Sequence, residues 1–184
     1  MSEEYVIQYC SPTMAGIKTG SLFTCPIESK EQMAQCMAAL NAKLLPKGIV
    51  IMPVKYMKKR VLIYMYRRNA LVKDLQNPIA REILKSLDYP VDDISQCITK
   101  LVLRINTEEE FPHEVGLFLS YPPEDVKAFI DNHAQNAKLV GTWKVYYNED
   151  QAKRTFLQFE NCTKAYCENY KKYNSFDRLV VSCS

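Results

Sequence analysis

Apolar residues recur at helical spacing in several stretches of the chain. The clearest stretch follows Ser29, which caps a predicted helix, and Gln32 completes a capping box with it. Pro46 and Gly48 end this helix. Its apolar stripe consists of Met33, Cys36, Met37, Leu40 and Leu44.

Three more helices are predicted between residues 69 and 105. Asn69 caps the first, Asn77 with Pro78 begins the second, and Asp92 or Asp93 caps the third. A later helix starts after the two prolines at 122 and 123, and the last covers residues 149–173. The last helix carries an aromatic stripe that includes Tyr166, Tyr170 and Tyr173.

Continuous apolar runs rich in β-branched residues predict strands elsewhere. The runs 49–54 and 61–66 form a predicted antiparallel hairpin, in which Pro53 favours an edge position or a bulge. Strands are also predicted at Tyr5–Tyr9 and 139–147. Another, at 115–119, would join the strand at 139–147 through a right-handed parallel crossover. The tail at 179–181 is either a last edge strand or frayed.

Together these elements predict an α/β or α+β fold. We expect a single-layer mixed sheet of about five strands flanked by helices, in one globular domain over residues 1–184. At this length one domain is the default, and the chain can bury a sizeable core.

Composition narrows the classes of partner. The 24 basic and 21 acidic residues are interspersed and leave a net charge of +3, which does not favour nucleic acid. No run approaches the ~20 apolar residues of a membrane span. The opening Met1-Ser2-Glu3-Glu4 lacks the pattern of a secretory signal, and seven cysteines form no dense framework. We therefore expect a cytoplasmic protein with free thiols, while the oligomeric state and any cofactor stay open.

Cys10 is the first candidate for chemistry. It follows the predicted strand Tyr5–Tyr9 and precedes Ser11 and Pro12, which suit the N-cap and first position of a helix. The positive field of a helix N-terminus favours a thiolate. The alternative interpretation is a small buried apolar residue, which is the commoner role of a free cysteine.

His113 is the second candidate, because a cysteine nucleophile needs a base. Cys10 with His113, oriented by Glu114 or Asp125, would make a papain-like cysteine hydrolase or acyltransferase. Alternatively, His113 is a strand-end residue bonded to the backbone. The sequence does not decide whether the protein is an enzyme.

The leading hypothesis is a small-ligand or metabolite site. Ser11, Thr13 and Lys18 could hold an anion near a helix start, and Tyr121 and Asp125 belong to a second polar segment. We expect a pocket formed by the 10–20 loop and the 111–125 segment. No CxxC occurs, so local motifs predict no structural zinc site, while a composite site of Cys10, His113 and distant cysteines stays open. A third hypothesis is a non-enzymatic interaction module that uses the tyrosines of the last helix.

Four motifs give the chain a resemblance to a known family. They are CSPTxAGxKxGxLF at 10–23, LNxKLxPKG at 40–48, FPHExGxFLxYPPEDV at 111–126 and GxWKVY at 141–146. In them the chain resembles a family of uncharacterised proteins from clostridial-type anaerobic bacteria. The resemblance carries no catalytic assignment. It covers both stretches chosen above on chemical grounds, which favours a shared site.

Overall fold

A computed structural model describes residues 1–182 of the chain. Their contacts group into two compact units. The first unit contains residues 1–69 and the chain from 158 onward, and the second contains residues 70–157. The expected single domain stays a prediction.

The described residues form an α+β fold in which helices predominate. The helices are α1 (Glu3–Met14), α2 (Lys30–Leu44), α3 (Arg68–Leu75), α4 (Pro78–Ser86), α5 (Ile94–Thr107), α6 (Val115–Phe118), α7 (Pro123–Asp131) and α8 (Glu149–Tyr173). The strands are β1 (Gly20–Pro26), β2 (Ile49–Tyr56), β3 (Arg60–Arg67), β4 (Leu139–Val140) and β5 (Lys144–Val145).

The strands pair in two separate sheets rather than in one mixed sheet. In the first unit the order is β1-β3-β2, and both pairings are antiparallel. In the second unit β4 and β5 form a two-residue antiparallel pair. The total of about five strands flanked by helices agrees with the sequence prediction. The mixed sheet and the parallel crossover are wrong, because among the described strands every pairing is antiparallel.

The β2–β3 hairpin confirms the strongest strand prediction. Its register shifts between Pro53 and Lys55, so the bulge lies where the proline removes a ladder donor. Behind this sheet, the buried residues of α2 are four members of the predicted stripe. They are Met33, Met37, Leu40 and Leu44.

Side-chain caps confirm several predicted helix starts. The Ser29 hydroxyl accepts a hydrogen bond from the Gln32 amide at 3.1 Å. Asn77 accepts from two backbone amides at the start of α4, and Asp93 does the same at the start of α5. Each cap satisfies amide groups that have no partner inside the helix.

The segment Tyr5–Tyr9 is part of helix α1, so the predicted strand there is wrong. Ser2 caps this helix, and its buried side includes Val6, Ile7, Cys10 and Met14, which follow a helical period. Pro12 lies inside the last turns rather than at a helix start. Ser11 is not an N-cap, because its hydroxyl donates to the carbonyl of Ile7 one turn earlier.

Two further strand predictions fail in the second unit. Val115–Phe118 is the short helix α6, and the predicted strand at 139–147 shrinks to β4 and β5 around a turn. In the first unit the tail forms a 3₁₀ turn at Asp177–Leu179 rather than an edge strand.

Arg67 ties the end of α1 to the sheet of the first unit. Its side chain is 2% exposed. The guanidinium donates to the carbonyls of Thr13 at 2.6 Å, Met14 at 2.5 Å and Val181 at 2.8 Å. A cation is favoured at a helix C-terminus, where carbonyl groups lack helical partners. Arg67 therefore fixes the segment on which Thr13 lies.

Candidate functional site

A cavity of about 310 Å³ lies within the second unit. Its rings come from the segment before α6, from the turn before α7, from α7 itself and from the β4–β5 turn. We call it the aromatic cavity, after its rings Phe111, His113, Tyr121, Phe129 and Trp143. Its other lining residues are Pro112, Val115, Gly116, Asp125, Val126, Val140, Gly141, Thr142 and Lys144.

Trp143 is held by a buried carboxylate. Asp125, 4% exposed, accepts a hydrogen bond from the indole Nε1 of Trp143 at 2.8 Å. Its other oxygen accepts from the backbone amides of Tyr146 at 2.9 Å and Tyr147 at 3.2 Å. Asp125 also lies in the first turn of α7, where the helix dipole favours a negative charge. The carboxylate thus fixes the chain from 143 to 147 against α7.

Two neighbouring rings complete the packing of Trp143. The Tyr121 ring lies 5.3 Å away between centroids, and the Phe156 ring meets the indole edge-on at 4.6 Å. Such aromatic pairs add about 0.5–1.5 kcal/mol beyond the area they bury. The indole is therefore a rigid wall of the aromatic cavity.

Two glycines make room for these rings. A Cβ on Gly116 would lie 2.8 Å from Val126 Cγ2 and 3.0 Å from Tyr121 Cδ2. A Cβ on Gly141 would lie 2.1 Å from Phe156 Cε2. The distances of 2.8 Å and 2.1 Å are shorter than contacts between carbon atoms allow, so a side chain at either position would displace Val126 or the rings that pack on Trp143.

His113 and Lys144 both contact the Phe129 ring. The imidazole meets it edge-on with 5.0 Å between centroids, and the Lys144 ammonium lies 5.6 Å from its centroid. Lys144 Nζ also donates to the carbonyl of Ala134 at 2.7 Å. His113 is exposed and Lys144 is half-buried, so both are reachable from solvent.

Glu114 lies next to His113 in sequence, but its described contacts go elsewhere. The carboxylate is buried, and one oxygen accepts from the Tyr89 hydroxyl at 2.7 Å. The same oxygen lies 2.7 Å from Arg104 Nε, a charge contact that lacks the alignment of a hydrogen bond. Within residues 1–182, no side-chain hydrogen bond joins Glu114 to His113. In this arrangement Glu114 links α5 to α6 and does not orient the imidazole.

Cys10 belongs to the first unit and lies inside α1. Its side chain is 0% exposed and is part of the apolar core of that unit. Burial raises the pKa of the thiol far above its usual range, against the smaller opposing effects of the Lys18 ammonium and the Ser21 hydroxyl. Cys10 lies inside α1 and not at a helix N-terminus, and its burial agrees with the alternative interpretation of a small buried apolar residue.

Two other predicted residues of the 10–20 segment, Thr13 and Lys18, lie in the same part of the first unit. The hydroxyls of Thr13 and Ser21 share a hydrogen bond of 2.9 Å, and both side chains are buried. Lys18 is half-buried, with its ammonium 5.6 Å from the Phe159 ring centroid. Loss of hydration lowers the pKa of Lys18 to about 8. Cys10, Thr13 and Lys18 thus share one region of the first unit, whereas His113, Tyr121 and Asp125 share the aromatic cavity of the second.

The family comparison covers nearly the whole chain. A family model described as protein of unknown function (DUF3793) matches residues 6–180. The chain belongs to the DUF3793 family. No curated protein and no solved structure matches it.

In this DUF3793 protein the tyrosines of α8 do not form one exposed patch. Tyr166 and Tyr170 are half-buried against the core of the first unit, and the Tyr170 hydroxyl donates to Glu3 at 3.0 Å. Only Tyr173 of the three is exposed, at 53%. These contacts favour a packing role for the stripe.

Residues 1–182 contain neither a cluster of metal ligands nor a membrane-spanning helix. Within them, no three His, Cys, Asp or Glu side chains cluster closely enough to hold a metal ion. None of the helices in that range has both the length and the apolar character needed to cross a membrane. The cysteines there are free thiols, as the sequence predicts.

Sequence reasoning named His113, Tyr121 and Asp125 but missed three other residues that line the aromatic cavity. They are Phe129, Trp143 and Lys144. The signal available in the sequence was the single tryptophan of the chain, which stands two residues after Gly141, one of only five glycines. Only the fold brings this tryptophan to the 111–125 segment.

Proposed function

We propose that this DUF3793 protein binds a small, mainly apolar molecule that contains a ring, in the aromatic cavity. The observation that supports this is the set of rings around a cavity of about 310 Å³, a volume within the range of ligand sites. The indole of Trp143 is held from behind by Asp125. A wall fixed before the ligand arrives reduces the ordering cost of binding.

The proposal keeps the small-ligand class and assigns it a narrower site. The lining of the aromatic cavity comes from residues 111–144, so the 10–20 segment supplies none of the residues that carry this proposal. The cysteine hydrolase hypothesis needs a thiolate at Cys10, and the burial of that thiol gives it no support.

The single tryptophan allows a direct test. Trp143 is the only tryptophan in the chain and lines this cavity, so its fluorescence should respond to binding there. Phenylacetamide, a neutral ring compound, should change that fluorescence in a saturable way. For a ligand of this size we expect a Kd on the order of 1 mM. Calorimetry or ligand-observed NMR then confirms binding independently of the fluorescence.

A matched pair of variants localises the binding. Val115 is a half-buried wall residue of the cavity, whereas Val102 is a half-buried residue of α5 that does not line it. Val115→Phe should fill the cavity and weaken binding at least tenfold, and Val102→Phe should leave it unchanged. Equal binding by the two variants, or no saturable binding of any simple ring compound, would overturn the proposal.

A further inference from the structure

Two charged side chains line the aromatic cavity, and they differ in how far their charge is already satisfied. Asp125 accepts three N–H groups, is 4% exposed and lies at the positive end of α7. A carboxylate with that many donors is well compensated without any ligand. It fixes the cavity wall and offers little surface to a bound molecule.

The charge of Lys144, unlike that of Asp125, is compensated by few hydrogen-bond partners. An ammonium group carries three donors. Within residues 1–182, Lys144 uses one of them in a hydrogen bond to the carbonyl of Ala134. Among residues 1–182, no carboxylate lies within ion-pair distance of its Nζ. The side chain is nevertheless half-buried and sits over the Phe129 ring. A partly dehydrated charge without a counter-ion is a natural partner for an anionic ligand.

The surroundings of Lys144 define where the charge of such a ligand would lie. Thr142, two residues earlier in the same turn, is exposed and carries a hydroxyl donor. The apolar lining includes Val115, Val126 and the Trp143 indole, which suit a ring. A ligand that suits both regions has an anionic head and an apolar ring.

We infer that the ligand is a small ring compound with one carboxylate, bound with the carboxylate on Lys144 and the ring against Trp143. The inference rests on the proposed function, because it names the chemical class that the same cavity takes. A planar carboxylate can accept from both the ammonium and the Thr142 hydroxyl, and its charge neutralises the Lys144 ammonium. The cavity volume limits the molecule to one ring with a short side chain.

Three probes with the same ring and different heads test the inference. They are phenylacetate, phenylacetamide and 2-phenylethylamine, which are anionic, neutral and cationic at neutral pH. Each is titrated against the full chain and followed by Trp143 fluorescence and calorimetry. We expect phenylacetate to bind at least tenfold more tightly than phenylacetamide, and the amine to bind most weakly. Added salt should reduce the preference for the acid, since the ammonium is partly exposed.

Variants of two lysines in the β4–β5 region assign the preference. Lys144→Met should abolish the preference for the acid, so that phenylacetate and phenylacetamide bind with equal affinity. Lys138→Met changes an exposed lysine that does not line the cavity, so it should keep the full preference. Because Lys144 also packs on Phe129, Lys144→Arg provides a second variant, which should keep the preference for the acid.

The outcomes separate the two proposals. If none of the three probes binds, the proposed function fails, and this inference fails with it. If the amide binds as well as the acid, or if Lys144→Met keeps the preference, the carboxylate class is wrong while the cavity still binds ligands. If the amine binds most tightly, Asp125 is the recognising charge, and the inference is also overturned.

Discussion

The indole Nε1 of Trp143 donates a hydrogen bond of 2.8 Å to Oδ2 of Asp125, and both residues are buried. This contact joins the first turn of α7 to the turn between β4 and β5. The other carboxylate oxygen accepts two backbone amides from the residues that follow β5. One side chain thus organises a segment that has only four residues in strands.

Asp125→Asn should destabilise the second unit by about 1–3 kcal/mol. The amide keeps one acceptor oxygen, so either Trp143 or the two backbone amides must face an NH₂ group and lose their partner. Urea unfolding followed by Trp143 fluorescence measures the change in that unit. Asp131→Asn, at the exposed end of the same helix, is the control and should stay within about 0.5 kcal/mol of the parent. Equal unfolding midpoints for the two variants would contradict a clamping role.

Gly141→Ala should destabilise the protein by about 1–3 kcal/mol, because the new methyl would lie 2.1 Å from the Phe156 ring. Phe156→Leu removes that obstacle at the cost of the ring contact with Trp143. The double variant should therefore be more stable than the sum of the two single changes indicates. Denaturation of the four proteins in this cycle gives the coupling energy.

Gly116→Ala supplies the control for that cycle. Its methyl would meet Val126 and Tyr121 instead of Phe156, so Phe156→Leu should not rescue it. Rescue of both glycine variants to the same extent would mean that Phe156→Leu acts through general loosening of the unit and not through the contact proposed.

Loss of the hydroxyl should change the free energy of unfolding differently at two buried tyrosines. Tyr89 donates to Glu114 at 2.7 Å, so Tyr89→Phe leaves a buried carboxylate short of a donor and should cost about 1–3 kcal/mol. The Tyr146 hydroxyl is buried and finds no hydrogen-bond partner among residues 1–182. Tyr146→Phe should therefore be neutral or stabilise by about 1 kcal/mol. Urea denaturation of the two variants checks both signs, and a clear loss of stability in Tyr146→Phe would contradict the second.

The helices and the hairpin could be predicted from the sequence because neighbouring residues specify each of them. The Ser29 cap, the Asn77-Pro78 pair and the apolar runs on both sides of Lys58-Lys59 each specify an element through neighbouring residues. The segment Tyr5–Tyr9 is predicted wrongly as a strand because its aromatic and β-branched residues suit a strand as well as a helix. Only the longer spacing from Val6 through Cys10 to Met14 reveals the helix.

The aromatic cavity could be predicted only in part, because its walls come from distant segments. His113, Tyr121 and Asp125 lie close together in the sequence, and their chemistry attracted attention. The hydrogen bonds of Asp125 bring Trp143 and Lys144 next to them. The hydrophobic periodicity of the sequence does not predict these bonds. The same limit explains Glu114, whose neighbour in sequence is His113 but whose partners in space come from α5 and the segment before it.

Cys10 and Lys18 should make opposite contributions to stability at alkaline pH. Above about pH 8.5 the unfolded chain releases the Cys10 proton, whereas burial raises the thiol pKa and keeps it protonated in the folded state, so stability falls with rising pH. Lys18 has a folded pKa of about 8, and the unfolded value is about 10.4. Between these values the folded state has already lost the proton, so stability rises with pH.

Single variants should therefore reveal trends that partly cancel in the parent protein. Relative to the parent, Cys10→Ala should gain stability as pH rises from about 8.5 to about 9.5, because the falling contribution of the thiol is gone. Lys18→Met should lose stability over the same interval, because the rising contribution of the amine is gone. Each slope approaches about 1.4 kcal/mol per pH unit as an upper limit. Urea denaturation at several pH values measures both, and Lys138→Met, which changes an exposed lysine, should follow the parent. Parallel pH profiles for all four proteins would mean that neither group titrates differently on folding, and the buried thiol and amine would then have ordinary pKa values.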